Sequence, residues 1–274
     1  FLRPGRAFRA VTEDEHDPAA RFRSTAEQYA VYRPEYDDAT LNYLRERFAL
    51  DGTGRLLDLG CGTGRLGVAL APDVGEVVGV DPNEAMIDHA RERAEIVGAG
   101  NTEWRSGSDA TLSEMAGDLA PLRLTVMGRS FHWMDQERTL ETLHEITESG
   151  GGVALLSDTE WLARGTADWG DAVYDAVTEF LDDPPERTGP VEYDESWVDL
   201  LDDHGFDAEE RVFEVEREWD DDSVVGYLLS LSFCSPAVLG DDREAFEEAV
   251  RERLTEFDEP YEEDATVEVI AGER

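Results

Sequence analysis

The sequence contains no lysine, so all 24 of its basic residues are arginine. This absence excludes two chemistries that need a lysine amine, the Walker A phosphate loop and the pyridoxal phosphate Schiff base. It also excludes reductases that depend on a Tyr-x-x-x-Lys pair. Cysteine is nearly absent too, since Cys61 and Cys234 are the only two. Two cysteines cannot build a disulfide framework, or a zinc site on their own.

Long apolar runs are missing as well. No stretch approaches the roughly 20 apolar residues that a membrane-spanning helix needs. The chain does not open with the pattern of a signal peptide either. We therefore expect a soluble, cytoplasmic protein that does not associate with membranes.

Positive charge is scarce relative to negative charge. The 65 acidic residues give the chain a formal net charge of −41. Such a charge repels itself strongly in dilute buffer, and this lysine-free, acid-rich composition resembles that of halophile proteins, which work in multimolar salt. The alternative is an acidic face for a basic partner, but the acids run the whole length of the chain. The charge also disfavours a nucleic-acid substrate.

The pattern of apolar residues indicates the fold class. Hydrophobic residues make up 41% of the chain and recur in periodic runs, which argues against bulk disorder. Short apolar strands alternate with helical patterns, which predicts an α/β domain with a parallel sheet and helices on both faces. The strands expected in this part are 55–59, 76–80, 102–105, 122–127 and 153–156.

Several boundaries are predicted from proline, glycine and capping residues. Pro72 is expected to stop one helix and Pro82 to open the next, whose buried face carries Met86, Ala90, Ala94 and Val97. A helix from Asp38 to Phe48 is also expected. Asp135 is expected to cap a helix that ends at 150–152, just before the strand 153–156.

The regular alternation of predicted strands and helices ends after residue 158. We expect helices over 166–181, 195–204, 224–231 and 243–257, and strands over 213–219 and 266–270. The economical interpretation is an N-terminal arm, 1–20, and one domain, 21–274. Its core spans about 36–158 plus strands near 206–219 and 264–271, and its helical lid is built from 21–35, 159–193 and 223–259.

A glycine-rich turn follows the first strand directly. Gly60, Gly62 and Gly64 have the spacing G-x-G-x-G rather than the G-x-G-x-x-G of dinucleotide binders. At the start of a helix, such a turn places backbone N–H groups against a ligand. Asp58 lies two residues before the turn, and Asp81 ends the next strand, where its carboxylate can accept two hydrogen bonds from ribose hydroxyls. A structural loop is the alternative.

Two longer stretches resemble a known family. LLDLGCGTGRLGVAL, followed by VVGVDPNEAM, resembles the first two motifs of class I S-adenosylmethionine-dependent methyltransferases. RSFHWMDQERTLETLHEITESGGGVALL is similar to the stretch between the fourth and fifth strands in their small-molecule, type 11-like branch. The resemblance covers roughly 20–158. It implies a Rossmann-like, doubly wound, mostly parallel seven-stranded sheet with helical lid insertions.

The resemblance also implies a reaction. The cofactor is S-adenosyl-L-methionine, the product S-adenosyl-L-homocysteine, and the acceptor an O, N or C atom of a small molecule. The reaction is an in-line displacement, catalysed mainly by alignment and desolvation under the lid. No metal ion is expected.

Roles for individual residues follow from the same resemblance. Gly60, Cys61 and Gly62 are expected to cradle the methionine part of the cofactor, with Asp58 supporting the loop or the amino group. Asp81 is expected to hold the ribose. The other expected cofactor-binding residues are Gly64, Pro82, Asn83, Met86, Ser108, Asp109, Ala110, Arg129, Ser130, Trp133 and Arg33.

Some of these residues have two readings. Asp109 either accepts a hydrogen bond from the adenine amino group or caps the helix that follows it, and the two roles can coexist. Arg33, in a segment that resembles an N-terminal lid, either meets a carboxylate or forms a surface ion pair.

The catalytic candidates lie close to the expected methyl group. His132 is the best candidate for a general base, although a structural histidine is an equal alternative. Tyr29 is a second candidate. The faces of aromatic rings can stabilise the sulfonium cation of the cofactor. The alternative is that these aromatic side chains only pack in the core. The aromatic candidates are Tyr29, Tyr32, Phe131 and Trp133.

Missing motifs narrow the acceptor without identifying it. The segment after the fourth strand, Gly128-Arg-Ser-Phe131, is not the [DN]-P-P-[YF] of amino-group methyltransferases, and it has no cysteine nucleophile. Three alternatives stay open: a catalytically silent S-adenosylmethionine-binding module, an RNA methyltransferase, and an NAD-dependent oxidoreductase. The acceptor and the oligomeric state are not indicated by the sequence.

Overall fold

A computed structural model describes residues 25–158, 167–181 and 196–274. The expected arm, 1–20, and the parts of the expected lid at 21–24, 159–166 and 182–193 lie outside the described residues. The strands are β1 (Arg55–Leu59), β2 (Glu76–Asp81), β3 (Thr102–Ser106), β4 (Leu122–Gly128), β5 (Thr147–Asp158), β6 (Asp207–Trp219) and β7 (Tyr261–Glu273).

The helices of the described part alternate with these strands. They are α1 (Ala26–Tyr32), α2 (Asp38–Arg47), α3 (Arg65–Leu70), α4 (Glu84–Val97), α5 (Asp109–Leu119), α6 (Gln136–Ile146), α7 (Asp168–Phe180), α8 (Trp197–Asp203), α9 (Asp221–Ser230), α10 (Pro236–Leu239) and α11 (Arg243–Leu254). A short 3₁₀ turn, Phe131–Trp133, follows β4.

All seven strands form one sheet in the order β3-β2-β1-β4-β5-β7-β6. The pairs among β1 to β5 are parallel, whereas β7 runs antiparallel to both of its neighbours. This mixed but mostly parallel sheet, with helices on both faces, confirms the α/β fold class.

Both faces of the sheet are buried. On one face, Leu57 and Val78 pack with apolar residues of α5, α6 and α8. On the other face, Leu56 and Val77 pack with residues of α2 and α3. The continuous apolar runs of β1 and β2 are therefore explained by burial on both sides.

The start of α4 and one residue of its expected buried face differ from the prediction. α4 begins at Glu84 rather than at Pro82, because the side chain of Asn83 accepts a hydrogen bond from the Ala85 N–H and caps the helix. Val97 is 62% exposed and does not share the buried face of α4. The first turn and the last turn of this helix therefore depend on contacts that periodicity does not report.

The segment 150–152 is also different from the prediction. It belongs to β5 and does not end α6, which stops at Ile146. Gly152 pairs with Leu124 of β4 and with Glu273 of β7, so the strand is held on both sides. A Cβ on Gly152 would meet the Phe48 ring and the backbone of Gly272, which explains why glycine is present inside a strand.

β6 and β7 are each 13 residues long. They lie where strands near 206–219 and 264–271 were expected, and both extend beyond the apolar runs 213–219 and 266–270. They pair along their whole length, from Asp207 opposite Glu273 to Trp219 opposite Tyr261. Backbone pairing with a neighbour thus extends both strands through charged residues that carry no strand signal of their own.

A separate helical layer lies over the carboxyl edge of the parallel strands. α7, α9 and α11 share their own core cluster, which includes Trp219 and Tyr261 at the β6–β7 end. α1 packs on α9, where Tyr32 lies against Gly226 so closely that a Cβ there would overlap its ring. These helices fall within the segments expected to form the lid.

Within the described ranges, no single helix is long and apolar enough to cross a membrane. Asp221–Ser230 and Ser232–Leu254 reach that length and composition only when taken together, and they are bent by 100°.

Candidate active site

A cavity of about 280 Å³ opens at the carboxyl ends of the parallel strands. This edge is where open α/β sheets bind ligands. The lining includes residues that follow β1, β2, β3 and β4. It consists of Tyr29, Leu59, Gly60, Gly62, Asp81, Pro82, Asn83, Met86, Ser108, Asp109, Gly128, Arg129, Ser130, Trp133 and Met134.

The cavity therefore collects most of the residues expected to bind the cofactor. Six expected residues are not in its lining: Arg33, Asp58, Cys61, Gly64, Ala110 and His132. Each of these six has a different environment, described below.

The glycine turn is attached to the sheet by the N–H groups that it was expected to offer to a ligand. The N–H groups of Gly60 and Cys61 both donate to the Val80 carbonyl, at 2.8 and 3.0 Å. The Gly62 N–H donates to Asp81 Oδ2 at 2.8 Å. These three N–H groups therefore already have acceptors on β2, and the cradling of the methionine part by Gly60, Cys61 and Gly62 stays a prediction.

Gly60 is required by backbone conformation and by space, and Gly62 is favoured by backbone conformation. Gly60 has φ +71°, and a Cβ there would collide with the side chain of Ser130. Gly62 has φ +51°, and a Cβ there would lie 3.8 Å from the Tyr29 ring, across open cavity. A side chain at either position would be strained and would enter space that borders the cavity.

Asp81 lies at the centre of this arrangement. Its Oδ1 accepts a hydrogen bond from the Asn83 N–H at 2.8 Å, and its Oδ2 accepts the one from Gly62. Burial raises the pKa of this carboxyl, and the two backbone N–H donors oppose that rise. Each oxygen keeps a further lone pair for a hydroxyl donor in the cavity.

Asn83 and Ser108 are both helix caps that line the cavity. The Asn83 Nδ2 is buried and donates to no group within the described residues. A buried amide without an acceptor is costly, and a ligand that supplies one removes that cost. Ser108 caps α5, so the cap role considered for Asp109 belongs to its neighbour. Asp109 instead accepts a hydrogen bond from the Asp135 N–H at 2.9 Å.

Asp58 and Cys61 border a smaller cavity of about 30 Å³ behind the glycine turn. Asp58 Oδ2 accepts a hydrogen bond from the Gly67 N–H at 2.9 Å, which ties β1 to α3. Burial raises the pKa of Asp58 to about 7. Burial also raises the pKa of Cys61, followed by the nearby charges of Asp58 and Asp81, so this thiol is a poor nucleophile.

Gly64 and Ala110 have structural environments outside the cavity. Gly64 has φ +75°, and a Cβ there would lie 2.6 Å from the Trp104 ring. Packing of Trp104 therefore explains this glycine. Ala110 is exposed in the first turn of α5.

The aromatic candidates and His132 divide between core and cavity. Phe131 is 1% exposed and packs edge-on against Trp197, so it belongs to the core. Trp133 is 42% exposed and lines the cavity. His132 packs beside Trp133, outside the lining, and burial, together with the Arg129 charge, lowers its pKa to about 4.

The two arginines near the cavity are held by specific contacts. Arg129 lines the cavity with its Nε 3.0 Å from Asp158 Oδ1. Arg33 is buried, and its Nε donates to Ser230 Oγ at 2.9 Å. The surface ion pair considered for Arg33 is therefore excluded by its burial.

Sequence reasoning missed seven residues that line the two cavities. Leu59, Gly128 and Met134 line the larger one. The smaller one is also lined by Tyr36, Thr63, Arg65 and Leu66. A Cβ on Gly128 would collide with the Tyr36 hydroxyl, so these two residues are matched to each other. The run of tyrosines in Tyr29-Ala-Val-Tyr-Arg-Pro-Glu-Tyr36 was the available signal for Tyr36. Within 25–158, 167–181 and 196–274, no His, Cys, Asp and Glu cluster could hold a metal ion.

Comparisons with known proteins agree with this geometry. Residues 56–151 match the family model described as a methyltransferase domain. An uncharacterized methyltransferase-like protein of Schizosaccharomyces pombe is 24% identical over 68% of this chain and 66% of its own length. A ubiquinone biosynthesis O-methyltransferase of Ruegeria pomeroyi is 31% identical over 52% of this chain and 65% of its own. The chain spans between half and two thirds of the first curated relatives it matches.

Solved structures share the fold. A putative type II methyltransferase from Anaeromyxobacter dehalogenans matches with a TM-score of 0.54 and 21% identity, over 89% of this chain and 98% of the other. A methyltransferase from Thiobacillus denitrificans, solved with S-adenosyl-L-homocysteine, matches with a TM-score of 0.51 and 18% identity, over 92% and 98%. Residues 56–151 therefore carry a methyltransferase domain, and the described part of the chain has the fold of these solved methyltransferases.

Proposed function

We propose that this chain transfers a methyl group from S-adenosylmethionine to an O, N or C atom of a small molecule by in-line displacement. One observation carries the proposal. A single cavity is lined by Asp81, by the glycine turn and by the side chains of Tyr29, Arg129 and Trp133. Such a cavity holds a nucleoside at one end and leaves room for a second molecule at the other.

The described residues fit the cofactor. Asp81 is positioned to accept hydrogen bonds from the ribose hydroxyls, and the free Nδ2 of Asn83 is a donor for a polar atom nearby. Met86 and Pro82 supply an apolar border for the adenine. When bound, S-adenosylmethionine supplies an electrophilic methyl group on a sulfonium.

The chain's own contribution is positioning and exclusion of water. The electron-rich faces of Tyr29 and Trp133 favour a cation in the cavity. The turn from Gly128 to Ser130 is fixed because Ser130 Oγ donates to the Leu59 carbonyl at 2.7 Å, which joins the ends of β4 and β1. We propose His132 as a secondary proton acceptor, since its imidazole is neutral at pH 7 but is a weak base with a pKa of about 4.

The proposal is tested by calorimetric titration of S-adenosyl-L-homocysteine in multimolar potassium chloride. The parent chain is expected to bind, and Asp81→Ala is expected to lose at least about tenfold in affinity, because hydrogen bonds to a charged group are worth roughly 1.5–3 kcal/mol. Asp118→Ala is the matched control, since Asp118 is an exposed residue of α5 away from the cavity.

Four results contradict the proposal. A folded parent that does not bind S-adenosyl-L-homocysteine has no site for this cofactor. Displacement of bound S-adenosyl-L-homocysteine by NADH indicates a dinucleotide-dependent enzyme instead. If the compound binds but no small-molecule library yields a methylated product, the chain is a silent binding module. Methylation of added RNA at the same salt identifies an RNA methyltransferase.

A further inference from the structure

The first residue of α3 connects the glycine turn to a helix that is distant in sequence. Arg65 follows Gly64 directly and is buried, with 7% of its surface exposed. Its Nη2 donates to the Tyr29 carbonyl at 3.0 Å and to the Ala30 carbonyl at 2.9 Å, and its Nη1 pairs with Glu35. The cofactor contacts described above do not account for this buried guanidinium.

The helix that Arg65 contacts, α1, depends on partners from other segments. It is seven residues long and contains no arginine of its own. A helix of two turns is not stable alone, and the carbonyls of its last turn have no partners within the helix. A cation at this end is also favoured by the helix dipole. Arg65 supplies both the N–H donors and the charge, so it helps to fix where α1 ends.

A second arginine, Arg93 of α4, supports the same end of α1 from outside. Its Nη2 donates to the Ala30 carbonyl at 3.3 Å, and its Nη1 donates to Glu35 at 2.8 Å. Glu35 therefore bridges two guanidinium groups. The side chain of Arg65 is 8% exposed and that of Arg93 is 23% exposed. Because salt screens buried charges less than exposed ones, we expect Arg65 to keep its contacts best in multimolar salt.

One of the carbonyls that Arg65 binds belongs to a residue of the cavity wall. Tyr29 lines both the larger cavity and the smaller one behind the glycine turn. A Cβ on Gly62 would lie 3.8 Å from the Tyr29 ring, so the ring lies opposite this turn. A displacement of α1 therefore moves the ring relative to the turn, and small misplacements of site groups are costly to binding and catalysis.

We propose that Arg65 is a positioning residue of the cofactor site, which holds the C-terminal end of α1 so that the Tyr29 ring stays opposite the glycine turn. Arg65 is not among the described residues that line the larger cavity. It therefore acts through Tyr29 and not by touching the cofactor. This inference rests on the proposed function, because it concerns the cavity in which that function places the cofactor.

The test is a double-mutant cycle on S-adenosyl-L-homocysteine affinity, measured by calorimetric titration in multimolar potassium chloride. Arg65→Gln and Tyr29→Ala are each expected to weaken binding at least about fivefold. The double variant is expected to bind within about twofold of Tyr29→Ala, because two residues that act through one contact are not additive. Arg45→Gln is the matched control and is expected to bind as the parent does. Arg45 also donates to a carboxylate, Asp73, and to a backbone carbonyl, that of Ala69, but it is not among the described residues of the cavity wall.

A second variant keeps the test decisive if Arg65→Gln does not fold, since Arg65 is buried. Arg93→Gln removes the more exposed of the two guanidinium groups that bind the Ala30 carbonyl and Glu35. It is expected to weaken S-adenosyl-L-homocysteine at least about threefold in the parent, and to have no further effect beyond about twofold in Tyr29→Ala.

Several outcomes overturn the inference. If the losses of Arg65→Gln and Tyr29→Ala multiply in the double variant, Arg65 acts on the cofactor independently of Tyr29. If the arginine variants melt at lower temperatures but bind with unchanged affinity, their contacts serve the fold alone. If Tyr29→Ala binds as the parent does, the ring that Arg65 holds has no role in binding.

These failures are distinguishable from failure of the proposed function. In each of them the parent still binds S-adenosyl-L-homocysteine, so the cofactor site remains and only the role of Arg65 is lost. A folded parent that does not bind S-adenosyl-L-homocysteine overturns both the proposed function and this inference.

Discussion

At the scale of single residues, the two buried aspartates of the site differ in the number of hydrogen bonds that their carboxylates accept. Asp81 accepts hydrogen bonds from two backbone N–H groups, one on each oxygen, and faces the cavity. Asp58 accepts one from Gly67 and is 1% exposed behind the turn. Asp58 thus has fewer hydrogen bonds to offset the cost of burying its carboxylate, and its protonation is coupled to folding.

Asp58→Asn is expected to remove a pH dependence of stability. The pKa of Asp58 is raised from 3.8 to about 7 by burial, so the folded chain binds this proton more tightly than the unfolded chain. The free energy of unfolding of the parent therefore falls between pH 4 and pH 7, by about 2–4 kcal/mol from this group. Urea titrations of both chains across this range measure the difference.

Asp118→Asn is the control for this measurement, since it removes a carboxylate from an exposed position. Parallel pH profiles of parent and Asp58→Asn are incompatible with a protonated Asp58 in the folded chain.

Gly60→Ala and Gly98→Ala separate backbone strain from collision. Both glycines have positive φ, +71° and +74°, but only Gly60 has a neighbour, Ser130, in the path of a Cβ. Gly98→Ala is expected to cost about 1 kcal/mol and Gly60→Ala about 2–4 kcal/mol, since overpacking adds to the strain. Equal losses of unfolding free energy in the two variants contradict this account of Gly60.

At the scale of elements, one side chain sets the spacing between α3 and the sheet. Trp104 of β3 packs against Gly64 at the start of α3, and against Gly67 within it. A Cβ on Gly79 of β2 would overlap the same ring. Three of the glycines near the turn are therefore explained by one indole, and the motif that resembles a ligand site serves packing as well.

Trp104→Ala and Trp133→Ala remove the same indole side chain, in one case from the core and in the other from the cavity wall. Trp104 is 8% exposed, so its loss is expected to cost about 3–5 kcal/mol of unfolding free energy. Trp133 is 42% exposed, and its loss is expected to cost less than about 1 kcal/mol. S-adenosyl-L-homocysteine affinity is expected to fall in Trp133→Ala, because its ring lines the cavity. Similar melting curves for the two variants would overturn this contrast.

At the scale of the whole molecule, the net charge of −41 dominates behaviour in solution. Mutual repulsion of carboxylates opposes the compact state, and it is screened over about 8 Å at physiological salt but about 3 Å at 1 M.

We expect potassium chloride to stabilise the fold markedly. Between 0.15 M and 2 M salt, the free energy of unfolding is expected to rise by at least about 2 kcal/mol, which corresponds to roughly 4–8 °C in melting temperature for a chain of this size. Calorimetric melting across the series measures it, with sucrose as a neutral control. A melting temperature that does not change with salt removes the halophile interpretation of the composition.

The sequence by itself determined the cofactor half of this protein. Short apolar runs identify the parallel strands, because strands buried on both faces need apolar residues at successive positions. The glycines after β1 mark the turn, because glycine adopts a positive φ without strain. Asp81 could be placed from its position at the end of β2. The prediction that Tyr29 and Arg129 lie near the cofactor came instead from the resemblance to the methyltransferase motifs.

Only the tertiary structure decided which distant side chains meet beyond the carboxyl end of β5. The pairing of β6 with β7 brings Arg217 and Glu263 beside Asp158 across a long separation in sequence. Arg33 contacts Ser230 and Tyr227 because α1 packs on α9. Contacts between distant segments carry no local signature, so this group of charged residues could not be assembled from the sequence.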